Sequence, residues 1–236
     1  MQAAALTDVG MVREQNEDAF YLGENVFAVA DGMGGHYAGE VASGIAIRML
    51  RETNPNGSSN PENPESWLRS LISDINAEIF RQASIHPGYI GMGTTLTVLL
   101  MGDNWAYIGH VGDSRAYLLR DGMIRQLTDD HSVVGELLRR GVLTREEARF
   151  HPQRNIITRA LGTFPHIDID ILSLDTRPGD RLLLCTDGLT GAISDEELAD
   201  ILLAAHDPEQ ACKALIEAAN EGGGHDNTTV VVVYCS

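Results

Sequence analysis

Two rhythms of apolar residues run along this chain. Short unbroken runs, "VFAVA" at 26–30, "RLLLC" at 181–185 and "TTVVVVY" at 228–234, are too brief for helices and predict strands buried on both faces. Between 93 and 127 the pieces "TTLTVLLM", "NWAYIGHV", "RAYLLR" and "MIRQL" are divided by Gly, Asp and Asn, the pattern of an antiparallel meander. Asp121-Gly122 sits between two of these pieces and reads as a plain hairpin turn.

The second rhythm is helical. Ala38, Val41, Ala42, Ile45 and Met49 recur on one face, as do Leu68, Leu71, Ile72, Ile75 and Ile79, and similar patterns cover 195–205 and 208–220. "NPNGSSNPENP" at 54–64 predicts an exposed connection. Residues 131–161 turn helical and irregular where the β pattern stops. Two helices therefore precede the main β region and two follow it, with no internal repeat.

A chain of 236 residues with 43% hydrophobic content suits one soluble domain spanning 1–236. No apolar run approaches the roughly 18 residues of a membrane span, and "MQAAALTDVG" lacks the basic-then-apolar order of a signal peptide, so a cytoplasmic protein is expected. Seventeen basic against thirty-four acidic residues leave a net charge of −17. Such a balance repels nucleic acid and anionic membranes, although metal cations would still let the surface handle phosphate.

Several catalytic classes lack their motifs. Lys213 is the sole lysine, no phosphate-binding glycine loop with lysine occurs, and the zinc-protease and serine-hydrolase signatures are missing. Cys185, Cys212 and Cys235 have no zinc spacing and read as buried thiols. Metal chemistry or simple binding is left.

Asp31 closes the strand "VFAVAD", Asp187 follows "RLLLCT" and Asp226 precedes the last β run. Taken one at a time, each is explained as well by a turn or helix cap. Three such ends gathered by sheets would make a carboxylate cluster, which repels itself unless cations intervene. An oxygen-only set suits Mg²⁺ or Mn²⁺ better than zinc or copper.

Seven segments, "REQNEDAF", "VADGMGGH", "GTTLTVLL", "VGDSRAY", "LTDDHS", "TDGLTGAI" and "GGHDNTTVVVV", follow one another along nearly the whole chain. In that order they resemble the metal-dependent PP2C (PPM) family of protein serine/threonine phosphatases, in its short bacterial form. The resemblance implies an α+β fold, a four-layer α/β/β/α sandwich of two packed antiparallel sheets flanked by helix pairs, with 131–161 as a flap beside the site. It implies that Asp31 bridges two Mg²⁺ or Mn²⁺ ions, that the Gly32 carbonyl binds one of them, that Asp187 and Asp226 complete the second site, and that Asp18 acts through water. Arg13 would hold the substrate phosphate, and Asp113 with Asp187 would hold a third, weaker ion. A water or hydroxide between the two core ions would attack phosphorus directly. Met33 stands where the eukaryotic branch has histidine, leaving His36 or an ion-bound water as the acid.

Substrates implied by the resemblance are proteins phosphorylated by serine/threonine kinases, handled by a monomer without nucleic-acid or membrane partners. A catalytically silent phosphoprotein-binding homologue is the alternative, disfavoured by intact Arg13, Asp18, Asp31, Asp187 and Asp226. A metal-dependent phosphodiesterase on nucleic acid is disfavoured by the charge.

Overall fold

The computed structural model describes residues 1–34, 38–54, 59–144, 147–148 and 150–236. One sheet runs, in spatial order, through β1 (Gln2–Asp8), β11 (Thr228–Tyr234), β10 (Arg181–Cys185), β7 (Arg115–Arg120) and β8 (Met123–Gln126). The other runs through β2 (Asp18–Leu22), β3 (Val26–Met33), β5 (Leu96–Met101), β6 (Trp105–Val111) and β9 (Asp170–Asp175), with the short β4 (Gly93–Thr94) on the end of β3. Every ladder is antiparallel.

The unbroken apolar runs are explained by burial on two sides. Val231 and Val233 of β11, Leu182 and Leu184 of β10, and Phe27 and Val29 of β3 meet in the layer between the sheets. Their neighbours turn outward: Val230, Val232, Leu183 and Cys185 pack under helices α5 (Asp195–Ala204) and α6 (Pro208–Glu221). Val26, Ala28 and Ala30 pack under α1 (Ala38–Thr53) and α2 (Pro64–Ile85) on the other sheet. Alternate residues of one strand thus feed two different cores, giving α/β/β/α layers. Each fully buried Val or Leu contributes about 1.5–3 kcal/mol relative to exposure.

Local chemistry starts the helices where the sequence pattern changes. Asn63 accepts from the Ser66 N–H ahead of α2, with Pro64 in the first turn. Ser194 and Glu197 form a reciprocal capping box at α5, and Asp207 accepts from the Gln210 N–H before Pro208 at α6. Caps of this kind are worth about 1 kcal/mol each. Asp121 (φ 53°) and Gly122 (φ 78°) make the two-residue turn between β7 and β8, both in the left-handed region that such hairpins require.

Three strands were not legible as apolar runs: β1, β2 and β9 carry mixed, partly buried residues because they lie at sheet edges. The chain after β10 also differs from a simple strand end, since Asp187 opens a short helix, α4 (Asp187–Ala192). Cys185 and Cys212 are buried thiols as expected, whereas Cys235 is only half-buried. No helix among the described residues is long and apolar enough to cross a membrane.

Candidate active site

Asp18 and Asp31 meet as cross-strand partners of β2 and β3. Residues directly opposite one another point to the same face of a sheet, so the ladder itself brings the carboxylates together. The Asp31 main chain is held from the next strand end: its N–H donates to Thr95 Oγ1 at 2.9 Å, and its carbonyl accepts from the Thr95 N–H and the Thr94 hydroxyl.

Gly32 follows with no room for a side chain. A Cβ there would lie 2.1 Å from the Gly39 carbonyl oxygen and 2.6 Å from that of Glu17. The first turn of α1 therefore closes directly onto the Gly32 backbone, which a residue with a side chain would prevent.

Thr186 and Asp187 come from the second sheet. Thr186 occupies the cap position of α4, yet its side chain makes no cap bond; it donates to Asp18 Oδ2 at 2.8 Å while accepting from the Thr229 N–H at 2.9 Å. Asp187 is an electrostatic neighbour of Asp31, so carboxylates from the two halves of the sandwich come together.

Burial, followed by the neighbouring carboxylates, pushes these groups toward the neutral acid. Asp18 rises to about 7, with hydrogen bonds from Thr229 and Thr186 opposing the shift. Asp31 and Asp113 are driven well above the carboxylate range, and Asp187 is raised. Oδ1 of Asp18 and Oδ1 of Asp113 are buried without a hydrogen-bond partner. A buried, partnerless carboxylate oxygen is costly unless something positive completes it.

Hard divalent cations fit this donor set, which among the described residues offers aspartate and backbone oxygens without thiolate or imidazole at the cluster. No three His, Cys, Asp or Glu side chains of the described residues already close on one point. Ions held here would keep several waters, as Mg²⁺ does by preference.

Asp226 lies at the rim. Its Oδ1 accepts from the Asn227 N–H at 2.9 Å and its Oδ2 from Arg13 Nη2 at 2.8 Å. Arg13, with its side chain 49% exposed, borders the cluster and turns toward Asp226; that hydrogen bond, opposed by partial burial, holds its guanidinium above its ordinary pKa. Asn227 secures the segment between: its Oδ1 accepts from the Glu17 N–H, and its amide donates to the Val9 and Gln15 carbonyls. His36 lies outside the described residues, as do Arg145 and Arg149.

Of the flap arginines, Arg140, which caps α3 (Val133–Arg139), pairs with Glu136 of that helix, Arg159 pairs with Asp170 and Arg139 approaches Asp129 at 4.0 Å. Among the described flap arginines, Arg139, Arg140 and Arg159 thus have acidic neighbours within the protein. Thr186 and Thr95 were missed from sequence, because a hydroxyl that serves a remote carboxylate looks like any strand-end threonine. The Thr directly before Asp187-Gly188 was the available signal.

The profile of the family described as Protein phosphatase 2C matches residues 12–222. The serine/threonine phosphatase stp of Listeria monocytogenes is 41% identical over 99% of this chain and 95% of its own length. The crystal structure of the Mycobacterium tuberculosis serine/threonine phosphatase PstP/Ppp superposes with a TM-score of 0.91 at 42% identity, covering 98% of this chain and 97% of that one. The catalytic domain of PstP in complex with two manganese ions superposes at 0.90 with 40% identity over 98% and 96%. Sequence and frame agree along nearly the full length, and the chain belongs to the protein phosphatase 2C family.

Proposed function

We propose that this protein is a Mg²⁺- or Mn²⁺-dependent phosphatase that removes phosphate from phosphoserine and phosphothreonine in proteins. The observation that carries the reading is the cluster of Asp18, Asp31, Asp113 and Asp187, raised in pKa, in which two oxygens are buried without any partner. Relatives named as serine/threonine phosphatases share most of the chain, and a PstP neighbour is described with two manganese ions.

When bound, such ions would supply a water acidified toward neutrality as the nucleophile. The chain's own share is positioning. Asp31 and Gly32 offer a carboxylate and a backbone oxygen from a rigid strand end, with Asp187 and Asp226 opposite, Asp18 acting behind through water, and Asp113 set apart with Asp187. Arg13 turns from Asp226 to the incoming phosphate, trading one charged hydrogen bond for another, potentially bidentate one. From sequence, the donor that would protonate the departing serine or threonine oxygen is His36 or an ion-bound water.

This reading takes 1–236 as one catalytic unit with 131–161 as its flap, working as a cytoplasmic monomer on substrates of serine/threonine kinases. The −17 charge supports phosphoproteins over nucleic acid or membranes as partners. The test is phosphate release from a phosphothreonine peptide with Mn²⁺, with Mg²⁺ and with EDTA. Release that needs either ion is expected; equal release in EDTA would overturn the proposal.

A further inference from the structure

Asp113 presents a carboxylate whose Oδ1 is buried without a partner, so side-chain hydrogen bonding does not aim that oxygen. Its direction is set by the backbone on either side. Gly112, the residue before it, is gripped twice by one side of the flap root: the His131 N–H donates to the Gly112 carbonyl at 2.7 Å, and the Gly112 N–H donates to His131 Nδ1 at 3.0 Å.

The grip leaves Gly112 little freedom. Its φ is +116°, in the region that favours glycine, and a Cβ would lie 2.6 Å from Thr95 Cβ and Cγ2. On the other side of Asp113, the Ser114 hydroxyl meets the Thr95 hydroxyl at 2.7 Å, and Thr95 also holds Asp31. Next along, Arg115 forks onto Asp130, the residue before His131. The 112–115 and 130–131 segments are thereby zipped together, with Asp113 the one carboxylate among them left facing the cluster.

The imidazole is orientated for this task. Accepting from Gly112 requires a bare Nδ1, which places the neutral ring's proton on Nε2, where Asp170 Oδ2 lies at 3.1 Å. Arg159 Nη1 donates to the other oxygen of Asp170 at 2.8 Å and lies 3.0 Å from His131 Nε2, where, with the ring proton on Nε2, it is a charged neighbour and Asp170 is the acceptor that orients the ring. His131 is also where the flap begins: its carbonyl accepts from the Thr158 N–H, and Ser132 bridges Ile157.

We infer that His131 is a positioning residue for Asp113, fixing the Gly112–Asp113 backbone through Nδ1 and so tying the affinity of a weakly held divalent ion at Asp113 to the base of the flap. The inference rests on reading the carboxylates as an ion site. His131 touches neither substrate nor ion; it acts through Gly112.

Asparagine and glutamine separate the two ends of the ring. The Oδ1 of asparagine sits where Nδ1 does and can accept from Gly112, whereas the amide of glutamine reaches toward the Nε2 position and Asp170. Mn²⁺ titration of the full chain by calorimetry, with bound Mn²⁺ counted by electron paramagnetic resonance, should resolve tight ions and a weaker one in the parent protein. His131→Gln is expected to weaken the weaker ion about 10–100-fold, the range for residues that support a ligand from behind, while the tight ions bind as before. His131→Asn should keep the weaker ion near the parent affinity. Equal behaviour of the two variants, or retention by glutamine and loss by asparagine, would overturn the inference, and the pair decides it even if His131→Ala fails to fold. Mn²⁺-dependent turnover without any weaker ion would reject this inference while sparing the phosphatase reading; absence of metal-dependent turnover would reject that reading itself.

Discussion

Asp18 and Asp31 face each other across the β2–β3 ladder, two acidic residues at opposed positions of neighbouring strands. Like charges directly opposite destabilise a sheet, and here burial adds to the cost. The fold accepts this strain locally because its stability comes from three apolar layers elsewhere. Replacing Asp31 with asparagine should therefore raise the melting temperature in EDTA while abolishing turnover. Relief of about 1 kcal/mol corresponds to about 2–4 °C for a chain of this size. A variant that melts lower in EDTA, or keeps more than a few per cent of activity in saturating Mn²⁺, would contradict the account.

Metal should reverse the pH dependence of stability. Asp18, raised to about 7, binds more protons folded than unfolded between its ordinary 3.8 and that value, so metal-free stability falls as pH rises through the window. Asp31, Asp113 and Asp187 share its direction. His110, pushed down to about 4 by burial, has the opposite sign: the unfolded chain takes up its proton first, and stability falls as pH drops from 6.5. In EDTA the protein should melt higher at about pH 5 than at about pH 8, because the four raised carboxylates outnumber His110 and His131, whose pKa burial also lowers. Saturating Mn²⁺ silences the carboxylates and should invert the order, which scanning calorimetry at both pH values would read.

Arg13 pairs with Asp226 where both are well exposed, so the pair contributes little to stability, about 0–1 kcal/mol. Arg13→Ala should leave the melting temperature nearly unchanged. Loss of a charged hydrogen bond to phosphate is worth about 1.5–3 kcal/mol, and kcat/KM should fall by about one to two decades. Arg13→Lys should recover only part of this, since a point charge cannot form the fork. An unchanged kcat/KM in Arg13→Ala would confine the residue to its pairing with Asp226.

Two glycine-to-alanine substitutions should diverge. Gly44 lies exposed within α1 with open space where a Cβ would go, and Gly44→Ala should stabilise by about 0.5–1 kcal/mol. Gly32→Ala would drive its methyl against the Gly39 carbonyl at 2.1 Å, forcing α1 away from β3. A cost of about 1–3 kcal/mol or more is expected, together with weakened Mn²⁺ binding. Urea unfolding of both variants, with Mn²⁺ titration of the second, checks the contrast.

Much of the frame was readable before any coordinates. Continuous apolar runs such as "VFAVA" and "TTVVVV" identify strands because residues on both faces must be apolar when a sheet is covered on both sides. Helices α5 and α6 were readable from periodicity, since the residues that share a helix face lie within four positions of one another. The Asp-Gly pairs and seven ordered segments pointed to carboxylate chemistry at strand ends. Edge strands β1, β2 and β9 escaped notice, because an edge strand mixes exposed and buried residues and loses the apolar signature.

What sequence determined, then, were the quantities set by local interactions: which stretches are extended or helical, where they stop, and which residue types stand at the stops. Tertiary structure alone decided which aspartates meet. Asp18 faces Asp31 by ladder register, Thr186 serves Asp18 across 168 residues and Asn227 holds Glu17 across 210. Arg13 turns to Asp226, and His131 grips Gly112. Register and sheet-to-sheet docking are settled by the packing of the whole apolar interior, so a one-residue slip that moves Asp18 to the other face of its sheet leaves every local pattern intact.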